Sequence, residues 1–138
     1  MVNIEVLQKR AEKAQEYLEF LKEIGEEYSF TEFKSDKMIY GSSERFLHLA
    51  IETLLDIGNH IISSENLGSV DQYRDIPQIL FENGYLDEQE KKEFIKIVGM
   101  RNILVHDYLE VEKEIVYKVL TCNLSDLEDI LKSYLKLI

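Results

Sequence analysis

The stretch from residue 36 to about residue 63 constrains the fold more than any other part of this chain. Its apolar residues Phe46, Leu47, Ala50, Ile51, Leu54, Leu55, Ile57, Ile61 and Ile62 recur at intervals of three and four, the spacing of one helical face. At about 100° per residue they fill about half the circumference. A helix with so wide an apolar face is central and packs on more than one neighbour. Ser35 or Asp36 is its expected N-cap. The other half carries Arg45, His48, Glu52, Asp56 and Asn59.

Weaker versions of the same pattern flank it. Ile4, Leu7, Ala11, Ala14, Leu18, Leu21 and Ile24 predict a first helix over residues 2–27, and residues 28–35 break the pattern. The loop "SENLGSVDQ" precedes a short helix over residues 73–83, with Pro77 tolerable only near its first turn and Gly84 as the residue that ends it. Asp87 opens a fourth helix with Glu90 three positions on, the pattern of a capping box. Phe94, Ile97, Val98, Arg101, Leu104 and Val105 share one of its faces. From Glu112 a fifth helix turns Ile115, Val119, Leu120, Leu124, Leu127, Ile130, Leu131 and Leu135 to the core. No strand-like alternation, internal repeat or low-complexity tract interrupts this order. The expectation is an all-α fold, residues 1–138 forming a single helical bundle of about five helices.

Charge and composition narrow the function. A net charge of −11 argues against broad non-specific nucleic-acid binding, which relies on Lys and Arg displacing counterions. The charge is uneven, because residues 91–106 hold Lys91, Lys92, Lys96 and Arg101 against Glu93 alone. No apolar run approaches the roughly 20 residues that span a bilayer. Residues 1–10 mix Glu5, Lys9 and Arg10 into a helical pattern, unlike a signal peptide. Cys122 is the single cysteine, so no internal disulfide forms. This fits a reducing, cytoplasmic setting, and Cys122 itself is expected as a small packed hydrophobe.

The polar residues of "RNILVHDY", residues 101–108, do not suit a plain bundle. If the fourth helix continues through Tyr108, Arg101 and Tyr108 lie on its apolar stripe. A guanidinium there needs a partner, since an unpaired buried charge costs several kcal/mol. Glu52 and Asp56, on the polar half of the central helix, are the candidates. Asn102 and His106 share a neighbouring face roughly 100–140° away, and Gly99 leaves room for another backbone to approach. A histidine exchanges protons near neutrality, and an arginine holds phosphate oxygens as charge develops. These parts suffice to cleave RNA without a metal or other cofactor: a base deprotonates the ribose 2′-hydroxyl, which attacks phosphorus, and an acid protonates the leaving 5′-oxygen. One such histidine per chain provides poorly for two proton transfers, so the chemistry favours a homodimer. His48, Glu52, Asp56 and His60 step along one helix, but each four-residue step drifts about 40°. Four ligands so placed do not converge on one metal ion, and a polar stripe is the better reading. Tyr17, Tyr28, Tyr73 and Tyr85 read as packing or loop anchors.

The segment "GMRNILVHDY" resembles the R-x-x-x-x-H-x-Y signature of HEPN-domain proteins, specifically the HepT-like toxins of nucleotidyltransferase–HEPN toxin–antitoxin pairs. "ERFLHLAIETLLDIGNHII" and "LGSVDQYRDIPQILFENGYL" resemble the family's second helix and its following loop and short helix, so the likeness runs from about Asp36 onward. Pro77 departs from the expected aromatic or apolar residue and implies a late start to that helix. The resemblance implies a dimeric HEPN-like fold with two motifs facing one cleft and a metal-independent endoribonuclease activity. It also implies a cognate nucleotidyltransferase antitoxin that silences the toxin by transferring AMP to the motif tyrosine. On this chain Arg101 and His106 match the catalytic pair, Asn102 the supporting polar residue and Tyr108 the modified one. Glu52 and Asp56 are assigned from helix geometry as groups orienting Arg101. The alternative is a non-catalytic dimeric HEPN module that binds a nucleotide or a partner protein.

Overall fold

The computed structural model describes residues 2–106 and 112–137, with His106 described by its backbone alone. Helix α1 spans Ile4–Glu27, α2 Phe30–Ser35, α3 Lys37–Ser64, α4 Asp75–Glu82, α5 Glu88–His106, α6 Lys113–Lys118 and α7 Leu124–Leu135, with a π-helical turn Val119–Asn123 joining the last two. Among the described residues there is no strand, and no helix is long and apolar enough to cross a membrane.

Helix α3 is the centre of the bundle, as its wide apolar face requires. Leu47, Ala50, Leu54 and Ile61 are completely buried, and burying a side chain of Leu or Ile size contributes about 1.5–3 kcal/mol. Asp36 is its N-cap, its carboxylate accepting from Met38 N at 3.0 Å and Ile39 N at 3.3 Å. Helix α1 lies along it, burying Leu7, Ala11, Ala14, Leu18, Leu21 and Ile24, whereas Ile4 is half exposed. Phe46 of α3 packs on Phe20 and Tyr17 of α1, with ring centroids 4.5 and 5.6 Å apart. Helices α4 and α7 meet α3 at Gly58, where an added Cβ would lie 2.7 Å from Ile76 Cγ2 and 2.8 Å from the Tyr134 hydroxyl. The buried Tyr134 hydroxyl donates to the Leu54 carbonyl at 3.1 Å, and burial raises its pKa far above the usual phenol value.

The structure amends four expectations. Residues 28–35 contain a helix, because Ser29 and Glu32 form a full capping box and Phe33 supplies a completely buried anchor. Helix α4, as Pro77 implied, starts late, at Asp75, with Pro77 in its first turn and Gly84 at φ +81° just beyond its end. The last helical segment is broken by the π turn, whose wider winding shifts the register. Val116, Leu120, Leu124, Leu127, Ile130, Leu131 and Tyr134 are buried, while Ile115 and Leu135 face outward. The same turn places Cys122 at the surface, not in the core. On α5, Phe94, Ile97, Val98 and Arg101 are buried, but Val105 is exposed.

Candidate active site

Helix α5 starts cleanly because Asp87 and Glu90 cap it reciprocally, Glu90 N donating to Asp87 Oδ1 at 2.8 Å and Asp87 N to Glu90 Oε1 at 3.0 Å. From that start, the face that buries Phe94, Ile97 and Val98 buries next Arg101, a residue 9% exposed. The partner it needs comes from α3: Arg101 Nε donates to Glu52 Oε1 at 2.6 Å. Arg101 Nη1 donates to Asn102 Oδ1 at 3.2 Å. The ring of Tyr73, from the loop before α4, covers the guanidinium with 4.1 Å between Cζ and the ring centroid. A carboxylate, an amide and an aromatic face therefore hold the cation, so a ligand meets it already oriented.

Glu52 is itself tied down. His48 Nε2 lies 3.2 Å from the same Oε1, and His48 Nδ1 lies 3.3 Å from Arg45 Nη1. A guanidinium N–H only donates, so Nδ1 is the acceptor and Nε2–H donates to Glu52. Arg45, His48, Glu52 and Arg101 form one polar string from the outer face of α3 into the bundle. Asp56 does not join it: among the described residues it makes no hydrogen bond or ion pair with Arg101. One further turn carries it about 40° around α3, to an adjacent cavity lined also by Asn59, Asp71 and Tyr73. Partial burial raises the Asp56 pKa, against the attraction of Arg10 and with added repulsion from Glu52. His60 is engaged elsewhere, accepting from Asn3 N at 3.2 Å.

Arg101 and Asn102 line a cavity of about 410 Å³ between α5 and the loop before α4, with Gly99 on one side and Gln72, Tyr73 and Arg74 on the other. A Cβ at Gly99 would meet nothing within 4 Å, so α5 is open there. His106 closes α5, about 140° around the helix from Arg101. Its ring, and all of Tyr108, lie outside the described residues. Tyr73 and Arg45 are the parts that sequence reasoning missed. Arg45 stood three residues before His48, but nothing in linear order ties residue 73 to residue 101.

An all-helical bundle that holds a buried, pre-oriented arginine five residues before a histidine on one helix fits the HEPN-type domain the sequence resembles. Comparison with known proteins makes the class specific. The family described as ribonuclease HepT-like matches residues 14–134. The mRNA nuclease HepT of Shewanella oneidensis strain MR-1 is 34% identical over 106 residues, covering 75% of this chain and 80% of that protein. A crystal structure of a toxin–antitoxin with AMP-PNP superposes with a TM-score of 0.87 at 26% identity, covering 97% of this chain and 99% of the other. The tri-AMPylated Shewanella oneidensis HEPN toxin in complex with MNT antitoxin gives 0.85 at 27% identity, covering 96% and 98%. The chain belongs to the HepT-like ribonuclease family. Its match starts at residue 14, well before the resemblance legible from Asp36 onward, and so includes most of α1.

Proposed function

We propose that the chain is a homodimeric, metal-independent endoribonuclease toxin that cuts RNA in the cytoplasm. The observation that carries this reading is Arg101, a permanently charged group held by Glu52, Asn102 and Tyr73 beside an open cavity. In the proposed reaction, neutral His106 of one subunit takes the proton of a ribose 2′-hydroxyl as the oxygen attacks the adjacent phosphorus. Protonated His106 of the second subunit gives a proton to the leaving 5′-oxygen. The 2′-O–P bond forms, the P–O5′ bond breaks, and a 2′,3′-cyclic phosphate and a 5′-hydroxyl result. Arg101 stabilises the charge gathering on the phosphoryl oxygens, and its fixed orientation avoids reorganisation during the step.

Two motifs meet if α5 packs on its copy. Ile95 and Ile103 are 37% and 42% exposed, eight residues apart on either side of Gly99, and this strip offers a second helix a close, apolar approach. The tri-AMPylated relative bound to its MNT antitoxin supports a matching partner here. That partner is a nucleotidyltransferase that transfers AMP from ATP to Tyr108, adding bulk and negative charge near Arg101.

The purified protein cleaves single-stranded RNA with EDTA present, and Arg101→Ala and His106→Ala each abolish cleavage. Turnover that survives either substitution refutes the assignment. The net charge of −11 favours the rival reading, a non-catalytic dimer that binds a nucleotide or partner protein. Ligand binding without any RNA turnover by the wild type would establish that rival.

A further inference from the structure

The cavity beside Arg101 differs in charge from the rest of this acidic molecule. Its lining includes two guanidinium groups, Arg74 and Arg101, and no carboxylate. The cavity on the far side of Tyr73 contains Asp56 and Asp71, and the one between α5 and α7 balances Glu93 and Asp126 against Lys96 and Lys118. Tyr73 thus stands as a wall between a cationic space and an acidic one.

Among the described residues, Arg74 makes no side-chain hydrogen bond or ion pair. It is exposed, and among the described residues no carboxylate lies within 4.0 Å of it. It precedes α4 without making a capping hydrogen bond. Its backbone nonetheless sits in a well-held turn. Asp75 Oδ2 accepts from Asp71 N at 3.0 Å and Gln72 N at 2.9 Å, and Asp75 N donates back to Gln72 O at 3.0 Å. A carboxylate that could have neutralised Arg74 is instead spent on fixing the loop that presents it. The adjacent Tyr73, 41% exposed, has one ring face against Arg101.

An unpaired guanidinium on a rigid turn, sharing a carboxylate-free cavity with the catalytic arginine, is suited to a second phosphate of the same strand. We infer that Arg74 binds an RNA phosphate flanking the scissile one, with Tyr73 as the aromatic wall between the two phosphate positions. This inference rests on the ribonuclease reading and adds a substrate-binding residue to it. Arg74 then contributes to affinity for strands with several phosphates and has no part in proton transfer.

The test uses full-length protein carrying His106→Ala, so that a fluorescein-labelled oligouridylate stays intact during anisotropy titration over a range of salt. Adding Arg74→Ala weakens binding about tenfold and reduces the slope of log affinity against log salt by about 0.7, the value of one phosphate contact on a single strand. Arg74→Lys keeps the slope. With His106 restored, Arg74→Ala raises KM for the oligouridylate but leaves cleavage of the dinucleoside monophosphate UpU unchanged, since UpU has no flanking phosphate. Equal affinity and slope in Arg74→Ala, with the wild type binding and cutting RNA, overturns this inference alone. So does an equal loss on UpU and on the longer strand. A wild type that neither binds nor cuts RNA overturns the ribonuclease reading and this inference together.

Discussion

Arg101 Nε and Glu52 Oε1 approach to 2.6 Å across the α5–α3 contact, joining residues 49 apart in sequence. The two side chains are 11% and 24% exposed, so the pair is mostly shielded from water. Removing one partner leaves an uncompensated charge, whereas replacing both with apolar groups need not be costly. Glu52→Ala therefore destabilises the fold by about 3 kcal/mol in urea denaturation, and the double variant Glu52→Leu/Arg101→Met recovers much of that loss. Glu52→Gln keeps an acceptor for Nε but not the charge. It slows RNA cleavage by about tenfold to a hundredfold through looser positioning of Arg101, with a smaller stability cost. Equal activity in Glu52→Gln and wild type would dismiss Glu52 as a positioning residue.

Two glycines on long helices respond in opposite ways. Gly58→Ala forces a Cβ against Ile76, Tyr134 and Leu80 at 2.7, 2.8 and 3.1 Å, and overpacking of this kind costs about 1–3 kcal/mol. Gly99 meets no neighbour within 4 Å, so Gly99→Ala leaves the subunit as stable or gains up to about 1 kcal/mol of helix propensity. A bulkier Gly99→Leu keeps the helical circular dichroism but weakens self-association in sedimentation equilibrium. Undiminished dimerisation would show that α5 does not pair with its copy at this point.

Asp56 sets a pH dependence of known sign. Its folded-state pKa lies above the ordinary 3.8, chiefly through desolvation, so the native state binds this proton more tightly than the unfolded chain. Its contribution is most favourable below pH 3.8 and is lost as pH rises through the folded-state pKa. At neutral pH the charged carboxylate is a net cost. Asp56→Asn accordingly melts at a higher temperature than wild type at pH 7, and the difference shrinks toward pH 3. A lower melting temperature at pH 7 would contradict the assignment.

The proposed silencing by adenylation is read by intact mass. Incubation with the proposed cognate nucleotidyltransferase and ATP is expected to add adenylate to the wild type and none to Tyr108→Phe. The adenylated protein loses RNA cleavage, because the added phosphate repels the substrate phosphate from Arg101. An unchanged wild-type mass with a demonstrably active partner, or adenylation of Tyr108→Phe, would rule out Tyr108 as the acceptor.

Much of the bundle was legible in one dimension. The apolar spacing located α1, α3, α4 and α5, and Asp36, Gly84 and the Asp87/Glu90 pair marked boundaries that the structure keeps. Residues 28–35 read only as a break, because a six-residue helix is too short to show a period. The π turn at Val119–Asn123 was not legible, because its sequence suits an ordinary helix. Extending a regular winding through it turned Ile115 and Leu135 inward and hid Cys122.

At the site, the sequence by itself determined that Arg101 would fall on an apolar stripe and need a carboxylate, because helical phase and the cost of burying charge are local matters. It narrowed the partner to Glu52 or Asp56, which share one face of α3 a turn apart. Only the tertiary structure decided for Glu52, brought Tyr73 over the guanidinium and placed Arg74 beside it, without a carboxylate partner among the described residues. Those outcomes depend on the crossing and axial offset of α3 and α5 and on the course of the loop into α4. Side-chain packing sets these quantities across the whole core, and no periodicity within a single helix records them.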